Sequence, residues 1–384
     1  MTRHAAITGV YDTPVGKVPG VSSLAMQADA ALGAIAHSGL DAAEIDGVLC
    51  AYSIASPHPM LSSVVCEYVG LQPSFSASIQ AGGASACVMV TQAAALVEAG
   101  MCRHVLAVTG DNRLSGMTRD QAVAVLSAFG HVQFEQPYGI NIPAAYALVA
   151  KRYMHEYGTT PEELAAIAVT HRKHAALNGK AHMQEPITVE DVCNSRLIAA
   201  PLRLLDCCLI SDGGAAVVVS APDAAADLPG PAVEILGTGQ MNTHEHIMEA
   251  PSLTDFGCKQ SSAQAMGRAG VSHGDFDVVE IYDSFTITLL IELESIGFYA
   301  RGEAGRAAQA GDLELGGKLP CNTHGGLLSY AHSGAAGGMF HVVEGVRQLR
   351  GEAERRQVAG AKLAFVHGDG GILSAHCSLV LGRA

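Results

Sequence analysis

Two stretches near the carboxyl-terminal end decide the fold: Glu280-Ile281-Tyr282-Asp283-Ser284-Phe285, and later Gly325–His332, which reads GGLLSYAH. The first closes an apolar run that predicts a β-strand. The second begins with two adjacent glycines and ends in a histidine. Together they carry the strongest signal for fold and chemistry in this sequence.

The composition sets the outer limits. Of 384 residues, 49% are hydrophobic and 16% are charged, which is enough apolar content to bury a large core. No run approaches the roughly 18 consecutive apolar residues that a membrane helix needs. The first residues also lack the apolar segment of a signal peptide. We therefore expect a globular, cytoplasmic protein without a membrane span.

Cysteine usage and net charge exclude further classes. The ten cysteines form no Cys-x-x-Cys pair and no metal-type spacing, and only the adjacent Cys207 and Cys208 stand out. This predicts reduced, mostly buried thiols and no metal site. The formal net charge is -14. Because contact with a nucleic-acid backbone requires many Lys and Arg side chains, we exclude nucleic acid as a partner.

An internal repeat predicts two similar halves. Strand-like runs alternate with Ala-rich helical stretches, which indicates an α/β layered fold. Three elements recur in the same order, as the pairs 48–53 and 279–284, 82–100 and 333–349, and 105–110 and 363–368. We therefore expect two α/β halves related by a pseudo-twofold axis.

The two stretches resemble the paired catalytic motifs of the thiolase superfamily, in the branch related to the thiolase domain of sterol carrier protein x. There the first motif reads His-Asp-Cys-Phe and the second contains Gly-His-Pro, so Tyr282 replaces the first histidine and His332 matches the second. The resemblance covers nearly the whole chain. It implies the thiolase fold, with two similar α/β/α halves and an inserted loop region. The predicted domains are an N-terminal half at 1–112 and 196–225, the insertion at 113–195, and a C-terminal half at 226–384.

In thiolases the insertion covers the active site and contacts the CoA part of the substrate. Here it carries a basic cluster, and the resemblance makes Arg172, Lys173 and Lys180 the candidates for CoA binding. A solvated helix face is the alternative explanation of such a cluster.

The nucleophilic cysteine of the family is absent from its expected place. Counting back from Gly100, which ends the helix, puts that position at Gly83. Cys87 lies one helical turn further in, roughly 5 to 6 Å along the axis, and is the only alternative nucleophile in this helix. We interpret it as a buried core cysteine. The backbone N–H of Gly83 can still hold a thioester oxyanion.

Three side chains are candidates for acid–base chemistry. Tyr282 is a hydrogen-bond donor and, with a lowered pKa, a base. His332 matches the histidine that activates the thiolase nucleophile and helps to bind a thioester oxygen. His367 begins the sequence HGDGG, which resembles the family's Cys-x-Gly-Gly-Gly, and so stands where the acid–base cysteine would be.

Other residues are assigned supporting roles. Gly370, in the same glycine turn, is a second candidate for a backbone oxyanion donor. Tyr330, Asp283 and Ser85 flank the motifs and are interpreted as supporting residues, with Asp283 anchoring its loop.

The missing cysteine decides which reaction we predict. Claisen cleavage of a 3-ketoacyl-CoA needs a thiol to accept the acyl fragment. Retro-aldol cleavage of a 3-hydroxyacyl-CoA needs only a base for the hydroxyl proton and an electrostatic site for the enolate. We therefore predict a carbon–carbon lyase with a CoA thioester as substrate and no bound cofactor. Two alternatives stay open: a thiolase-type acyltransferase that uses a different cysteine, and a non-catalytic acyl-CoA-binding subunit.

The resemblance also implies partners. Thiolases dimerise by joining their central sheets, so we expect a homodimer. Some thiolase-like aldolases of this branch act on steroid CoA thioesters together with a small acyl-CoA-binding protein that contains a zinc ribbon and an OB fold. A partner of this type is a further expectation.

Overall fold

A computed structural model describes residues 4–383, which form a nine-stranded sheet, a small two-stranded sheet and surrounding helices. The strands in chain order are β1 (Ala6–Asp12), β2 (Gly47–Ala51), β3 (Phe75–Ile79), β4 (His104–Asn112), β5 (Leu197–Ala199), β6 (Leu202–Arg203), β7 (Asp212–Ser220), β8 (Val233–Asn242), β9 (Val278–Ile281), β10 (Leu363–Gly370) and β11 (Ala375–Arg383). The α-helices are α1 (Ser23–Ser38), α2 (Leu61–Val69), α3 (Ser85–Glu98), α4 (Arg119–Ser127), α5 (Ile142–Tyr157), α6 (Pro161–Leu177), α7 (Val189–Asn194), α8 (Pro222–Ala225), α9 (Cys258–Ala269), α10 (Thr286–Ile296), α11 (Ala304–Gln309) and α12 (Ala336–Arg350).

The order of strands in the large sheet repeats about its centre. It runs β3-β2-β4-β7-β1-β8-β11-β10-β9. Outward from the central pair, one half reads β1-β7-β4-β2 and the other reads β8-β11-β10-β9, with matching parallel and antiparallel neighbours. The predicted fold class of two similar halves is therefore confirmed.

Two central helices lie between the halves. α3 and α12 pack against each other and against strands of both halves, while α1 and α2 cover the outer face of one half and α9 and α10 cover that of the other. β7 is buried at every position because both of its faces are covered. β3 forms one edge of the sheet, and its residues alternate between half-buried and exposed. The helices therefore lie in three groups, one between the two halves and one on the outer face of each half.

Residues 113–195 interrupt this repeat. They contain α4 to α7, and none of the strands of the large sheet comes from this range in the part of the chain that the structure describes. α6 packs on α11 and on residues 326–330 of the second motif. The domain boundaries themselves stay a prediction.

Two predictions from composition can be compared with the structure. All ten cysteines are free, which confirms reduced thiols. Between residues 4 and 383, the helices are too short or too polar to cross a bilayer. The cellular compartment stays a prediction.

Candidate active site

A pocket opens where the sheet strands end. Residues that directly follow β2, β4 and β9 line it, namely Tyr52, Arg113 and Tyr282, and so does Gly370 at the end of β10. Its outer wall is apolar and comes largely from the insertion and the β5–β6 region: Val125, Leu126, Phe129, Ile142, Pro143, Ile198 and Leu204. Both central helices begin beside this pocket, so the positive ends of their dipoles favour negative charge there.

Tyr282 contacts His332 inside the pocket. The backbone N–H of Tyr282 donates to the carbonyl of His367 at 3.0 Å, which extends the pairing of β9 with β10. Its phenolic oxygen lies 3.1 Å from Nε2 of His332. Burial, together with nearby acidic groups, raises the pKa of Tyr282 well above its usual value. This corrects the expectation of a lowered pKa: the phenol stays protonated and is a hydrogen-bond donor.

The phenol of Tyr282 fills the space next to Gly83. A Cβ atom on Gly83 would lie 2.1 Å from Cζ and 2.3 Å from the hydroxyl oxygen of Tyr282, and 2.4 Å from the carbonyl oxygen of Asp369. Glycine is therefore the residue that this position can hold. Gly83 and Tyr282 therefore form one structural feature, because the phenol takes the space that a side chain at position 83 would need.

His332 is a neutral imidazole held on both sides. Its Nδ1 lies 3.1 Å from Sγ of Cys208, and its backbone carbonyl accepts a hydrogen bond from the N–H of Ser211 at 3.0 Å. Burial, and then the positive charge of Arg113, lowers the pKa of His332 to about 3. At neutral pH the ring therefore carries no charge, and with its proton on Nδ1 it can accept a hydrogen bond from the phenol of Tyr282 at Nε2.

The activity of this pair is expected to depend little on pH. His332 becomes protonated only near pH 3, and Tyr282 loses its proton only at a pH well above the usual tyrosine pKa. We therefore expect kcat/KM to stay constant between about pH 5 and 9. Activity should fall as pH decreases toward 3, because a protonated imidazole cannot accept the proton. A pH–rate profile in one mixed buffer measures this. An acidic limb near pH 6.5, the ordinary histidine value, would contradict it.

Sequence reasoning missed Cys208 and Arg113. Cys208 lines the pocket although 124 residues separate it from His332, and spacing alone could not have found that contact. Burial raises the pKa of the Cys208 thiol to about 12, so it is a weak nucleophile. Arg113 was noticed only as the start of the insertion. Arg113 lines the pocket and is largely buried.

Tyr146 and Asp369 complete the wall. The hydroxyl of Tyr146, on helix α5 of the insertion, donates to Oδ2 of Asp369 at 3.0 Å, and both residues line the pocket. Burial, and then the charge of Glu292, raises the pKa of Asp369 well above its usual value. Asp369 was visible in the HGDGG motif, but it occupied a position that the family fills with glycine.

His367 does not line the pocket, which corrects its predicted placement. It is fully buried, and its Nδ1 lies 2.8 Å from Oγ of Ser378. His367 and Asp369 project from the same face of β10, and His367 lies two residues, about 6.6 Å, further along the strand from the pocket. The side chain that reaches the pocket from this motif is therefore Asp369.

Tyr330 and Ser85 also lie outside the pocket. The hydroxyl of Tyr330 donates to the buried carboxylate of Asp12, which Arg347 also binds at 2.6 Å. Ser85 donates to the carbonyl of Gly82 at 2.7 Å and so closes the turn before α3. Both side chains bind backbone or ion-pair partners, so their roles are structural and neither is placed to contact a substrate in the pocket.

Asp283 anchors the loop that carries His332. Its carboxylate accepts the N–H of Leu327 at 2.8 Å and contacts Nδ1 of His171 at 2.8 Å, and all three residues are buried. The carboxylate therefore fixes the start of the loop GLLSYAH relative to strand β9.

Gly370 lies against the other glycine turn. A Cβ on Gly370 would lie 2.1 Å from the carbonyl oxygen of Ala81, so the turns that hold Gly83 and Gly370 meet backbone to backbone in the pocket wall. Their role as oxyanion donors stays a prediction.

Cys87 is not accessible from the pocket. It is fully buried, faces β10 at Gly368, and is absent from the pocket lining. Burial raises the pKa of its thiol well above the usual value. The structure therefore removes it as the alternative nucleophile, because a buried neutral thiol one turn into the helix reaches no substrate.

The proposed CoA-binding residues are engaged elsewhere. Arg172 is buried and donates to Oγ of Ser329 and to the carbonyl of Glu185, both at 2.9 Å. Lys173 pairs with Glu314 at 2.6 Å, and Lys180 pairs with Asp12 at 3.2 Å. None of the three basic residues lines the pocket. Arg172 and Lys173 instead join α6 to neighbouring segments, and Lys180, which follows the helix, joins its loop to β1.

Comparisons with known proteins agree with this fold. The family "Thiolase, N-terminal domain" matches residues 5–223, and "Thiolase C-terminal domain-like" matches residues 239–383. The chain is 36% identical, over 100% of both chains, to a 17-hydroxy-3-oxo-4-pregnene-20-carboxyl-CoA lyase of Mycobacterium tuberculosis. It is 34% identical to an acetyl-CoA acetyltransferase of Methanothermobacter thermautotrophicus, over 96% of this chain and 97% of that one.

The solved structure of an aldolase named Ltp2-ChsH2(DUF35) is also similar. It shares 37% sequence identity with this chain, covers 99% of this chain and 98% of its own, and superimposes with a TM-score of 0.87. Relatives of this chain thus carry the names of both lyases and transferases, so the geometry of the pocket has to separate the two reactions.

Proposed function

This chain is an enzyme of the thiolase superfamily, and we propose that it cleaves a carbon–carbon bond of a 3-hydroxyacyl-CoA by a retro-aldol reaction. One observation carries the proposal: the phenol of Tyr282 fills the space at Gly83 and contacts His332 at 3.1 Å. A side chain able to donate and accept a proton thus stands where an acyl-accepting thiol would be needed. The lyase and aldolase names of two relatives support the same reaction.

Tyr282 and His332 would form a proton relay. The 3-hydroxyl of the substrate gives its proton to the phenolic oxygen of Tyr282, while the phenol passes its own proton to Nε2 of His332. As the oxygen–carbon double bond forms, the electrons of the bond between C2 and C3 move into the thioester and produce an enolate. Breaking of this bond frees the ketone or aldehyde. The proton held by His332 then returns through the phenol of Tyr282 to C2, which completes the shortened acyl-CoA, and no co-reactant is consumed.

The enolate needs positive potential, and the pocket supplies it. Arg113 lines the pocket, is largely buried and carries a permanent positive charge. The amino-terminal ends of α3 and α12 point toward the same volume, and the Gly83 and Gly370 turns bring backbone close to it. We assign Arg113 to the thioester oxygen, since a charged donor in a water-poor pocket stabilises the developing charge most strongly.

The mouth of the pocket suits an apolar acyl group. Its outer wall is built almost entirely from aliphatic and aromatic side chains of the insertion. Because the predicted basic residues lie elsewhere, the nucleotide part of CoA needs other contacts. We propose that a DUF35-type partner supplies them, since the similar aldolase is named as a combination of Ltp2 with ChsH2(DUF35). We also propose that the open edge of β3 joins two copies of this chain.

A second candidate function is acyl transfer through Cys208. It is favoured by the 3.1 Å distance between Sγ of Cys208 and Nδ1 of His332 in the same pocket. It is opposed by the high pKa of the buried thiol. A nucleophile of this kind requires the thiolate.

Mass spectrometry of the intact protein separates the two reactions. After incubation with acetyl-CoA or acetoacetyl-CoA we expect no mass gain, whereas incubation with a panel of 3-hydroxyacyl-CoA thioesters should yield a carbonyl compound and a shortened acyl-CoA. An acyl group that maps to Cys208 and disappears in Cys208→Ser would establish acyl transfer and refute the lyase. Absence of both adduct and cleavage would favour a non-catalytic acyl-CoA-binding subunit.

A further inference from the structure

A second cluster of titratable side chains lies beneath the pocket floor. It joins Glu292 of α10, His367 of β10 and His376 of β11, and all three are fully buried. Nε2 of His367 lies 3.2 Å from Nδ1 of His376. Oε1 of Glu292 lies 3.6 Å from Nε2 of His367 and 3.9 Å from Nδ1 of His376. Oδ1 of Asp369 approaches the same Nδ1 of His376 to 3.9 Å.

The carboxyl oxygens of this cluster lack partners. Both oxygens of Glu292 and Oδ1 of Asp369 are buried and accept no hydrogen bond from any group in residues 4–383. A proton shared by the two imidazoles satisfies the ring nitrogens, but it leaves these three oxygens without a donor. Buried carboxyl groups are normally paired or bound to a metal, because an unpaired one is costly.

We propose that Glu292, His367, His376 and Asp369 bind one divalent transition-metal ion, and that Zn2+ fits the site best. A triangle with sides of 3.2, 3.6 and 3.9 Å contains a point about 2.1 Å from all three corners, which is the length of zinc bonds to imidazole nitrogen and carboxylate oxygen. Asp369 completes four ligands by moving closer to that point. Two ionised carboxylates and two neutral imidazoles balance the charge of a divalent ion.

The surroundings orient both imidazoles for this role. Nε2 of His376 lies 3.0 Å from the carbonyl oxygen of Leu373, so that nitrogen carries the proton and Nδ1 is left with a lone pair. Nδ1 of His367 lies 2.8 Å from Oγ of Ser378, which leaves Nε2 for the ion. Hydrogen bonds from the far nitrogen of a ligating histidine are usual at metal sites.

A different buried cluster contains the same residue types as the proposed metal site, but its side chains pair with each other. Glu280, His324 and His341 are also buried together. There, His341 lies between two carboxylates, 3.4 Å from Glu280 and 3.4 Å from Asp283. Burial alone would lower the pKa of His341, but these two carboxylates raise it to about 9. In this cluster both carboxylates are already paired with the protonated His341, so we propose no ion there.

The sequence predicted no metal site, because cysteine spacing was the only signal available and these ligands come from three separate elements. The proposed ion is independent of the retro-aldol relay. It would tie α10 to β10 and β11 and keep Asp369 ionised as the acceptor for Tyr146. The ion therefore has a positioning role beneath the pocket wall.

Metal content tests the site directly. Untagged protein made in zinc-supplemented medium and dialysed against EDTA should retain about one zinc per chain by inductively coupled plasma mass spectrometry. Glu292→Gln and His376→Gln should each reduce this to below about a tenth, because each removes a ligand. His324→Gln, a matched buried substitution in the other cluster, should keep the zinc.

A second measurement avoids variants that fail to fold. Wild-type protein is unfolded with a chelator, freed of metal, and refolded with or without Co2+. Refolding with Co2+ should give the visible absorption of a four-coordinate site and a higher midpoint of thermal unfolding. The proposal would be overturned if the wild-type protein contained no zinc and if refolding with Co2+ gave neither a visible absorption nor a shift in the midpoint of thermal unfolding. It would also be overturned by zinc that persists equally in folded Glu292→Gln and His376→Gln.

Discussion

Replacing Tyr282 with phenylalanine is expected to reduce kcat for cleavage of a 3-hydroxyacyl-CoA by about 10²- to 10⁴-fold, the range that general acid–base catalysis contributes. The variant keeps the ring that fills the space at Gly83, so packing is retained. It removes only the hydroxyl that contacts His332, so the relay is interrupted. KM should change little, because the ring still shapes the pocket wall. Steady-state kinetics on a substrate that the parent protein cleaves gives both constants.

Tyr330→Phe is the matched control for this substitution. It also removes one buried tyrosine hydroxyl, but that hydroxyl bonds Asp12 outside the pocket. Loss of the hydrogen bond should lower the free energy of unfolding by about 1 kcal/mol in Tyr282→Phe and by about 1.5 to 3 kcal/mol in Tyr330→Phe, whose acceptor is a carboxylate. Only Tyr282→Phe should lower kcat. Full activity in Tyr282→Phe would show that the proposed proton relay does not operate. Equal loss of kcat in both variants would point to a general structural effect.

Gly83→Ala is expected to destabilise the protein and to lower activity together. Its Cβ would lie 2.1 Å from Cζ of Tyr282, far inside van der Waals contact, so the phenol has to move away from His332. Overpacking of this kind costs about 1 to 3 kcal/mol, and the second close contact, with the carbonyl oxygen of Asp369, puts the expected value toward the upper end. Chemical denaturation measures the stability, and the cleavage assay measures kcat.

Two further variants show whether the cost arises from the phenol. Gly267→Ala, in α9, meets nothing within 4 Å and should be neutral or stabilising, which controls for the glycine-to-alanine change itself. In a Tyr282→Ala background, Gly83→Ala should cost less than in the parent, with a coupling free energy of about 0.5 to 3 kcal/mol. Rescue should be partial, since the contact with Asp369 remains. Additive costs would show that Tyr282 does not occupy this space.

The parts of the site that could be predicted are those that local sequence encodes. Tyr282 and His332 were found because each ends a recognisable strand or glycine loop, and the structure places them 3.1 Å apart. Gly83 was found by counting along a helix. The motif HGDGG was also found, but the wrong side chain was selected from it. His367 and Asp369 lie on the same face of β10 and differ only in their distance along the strand from the pocket.

What could not be predicted depends on contacts between distant segments. Cys208, Arg113 and Tyr146 come from three separate segments that show no motif, and only folding brings them to one pocket. The basic residues of the insertion were assigned to CoA because their charge was visible, whereas their partners, such as Glu314 for Lys173, were not.

By itself, the sequence predicted the two-half α/β fold, the resemblance to the thiolase family, a glycine at position 83 where that family carries its cysteine, and Tyr282 and His332 as candidate site residues. These follow from periodicity, an internal repeat and short motifs, which are properties of neighbouring residues. Only the tertiary structure decided that the phenol replaces the missing side chain, that Tyr282 is protonated while His332 is neutral, and that His367 faces Glu292. The reason is physical: proton affinity and steric fit depend on burial and on charges from other segments, and neither is set until the chain is packed.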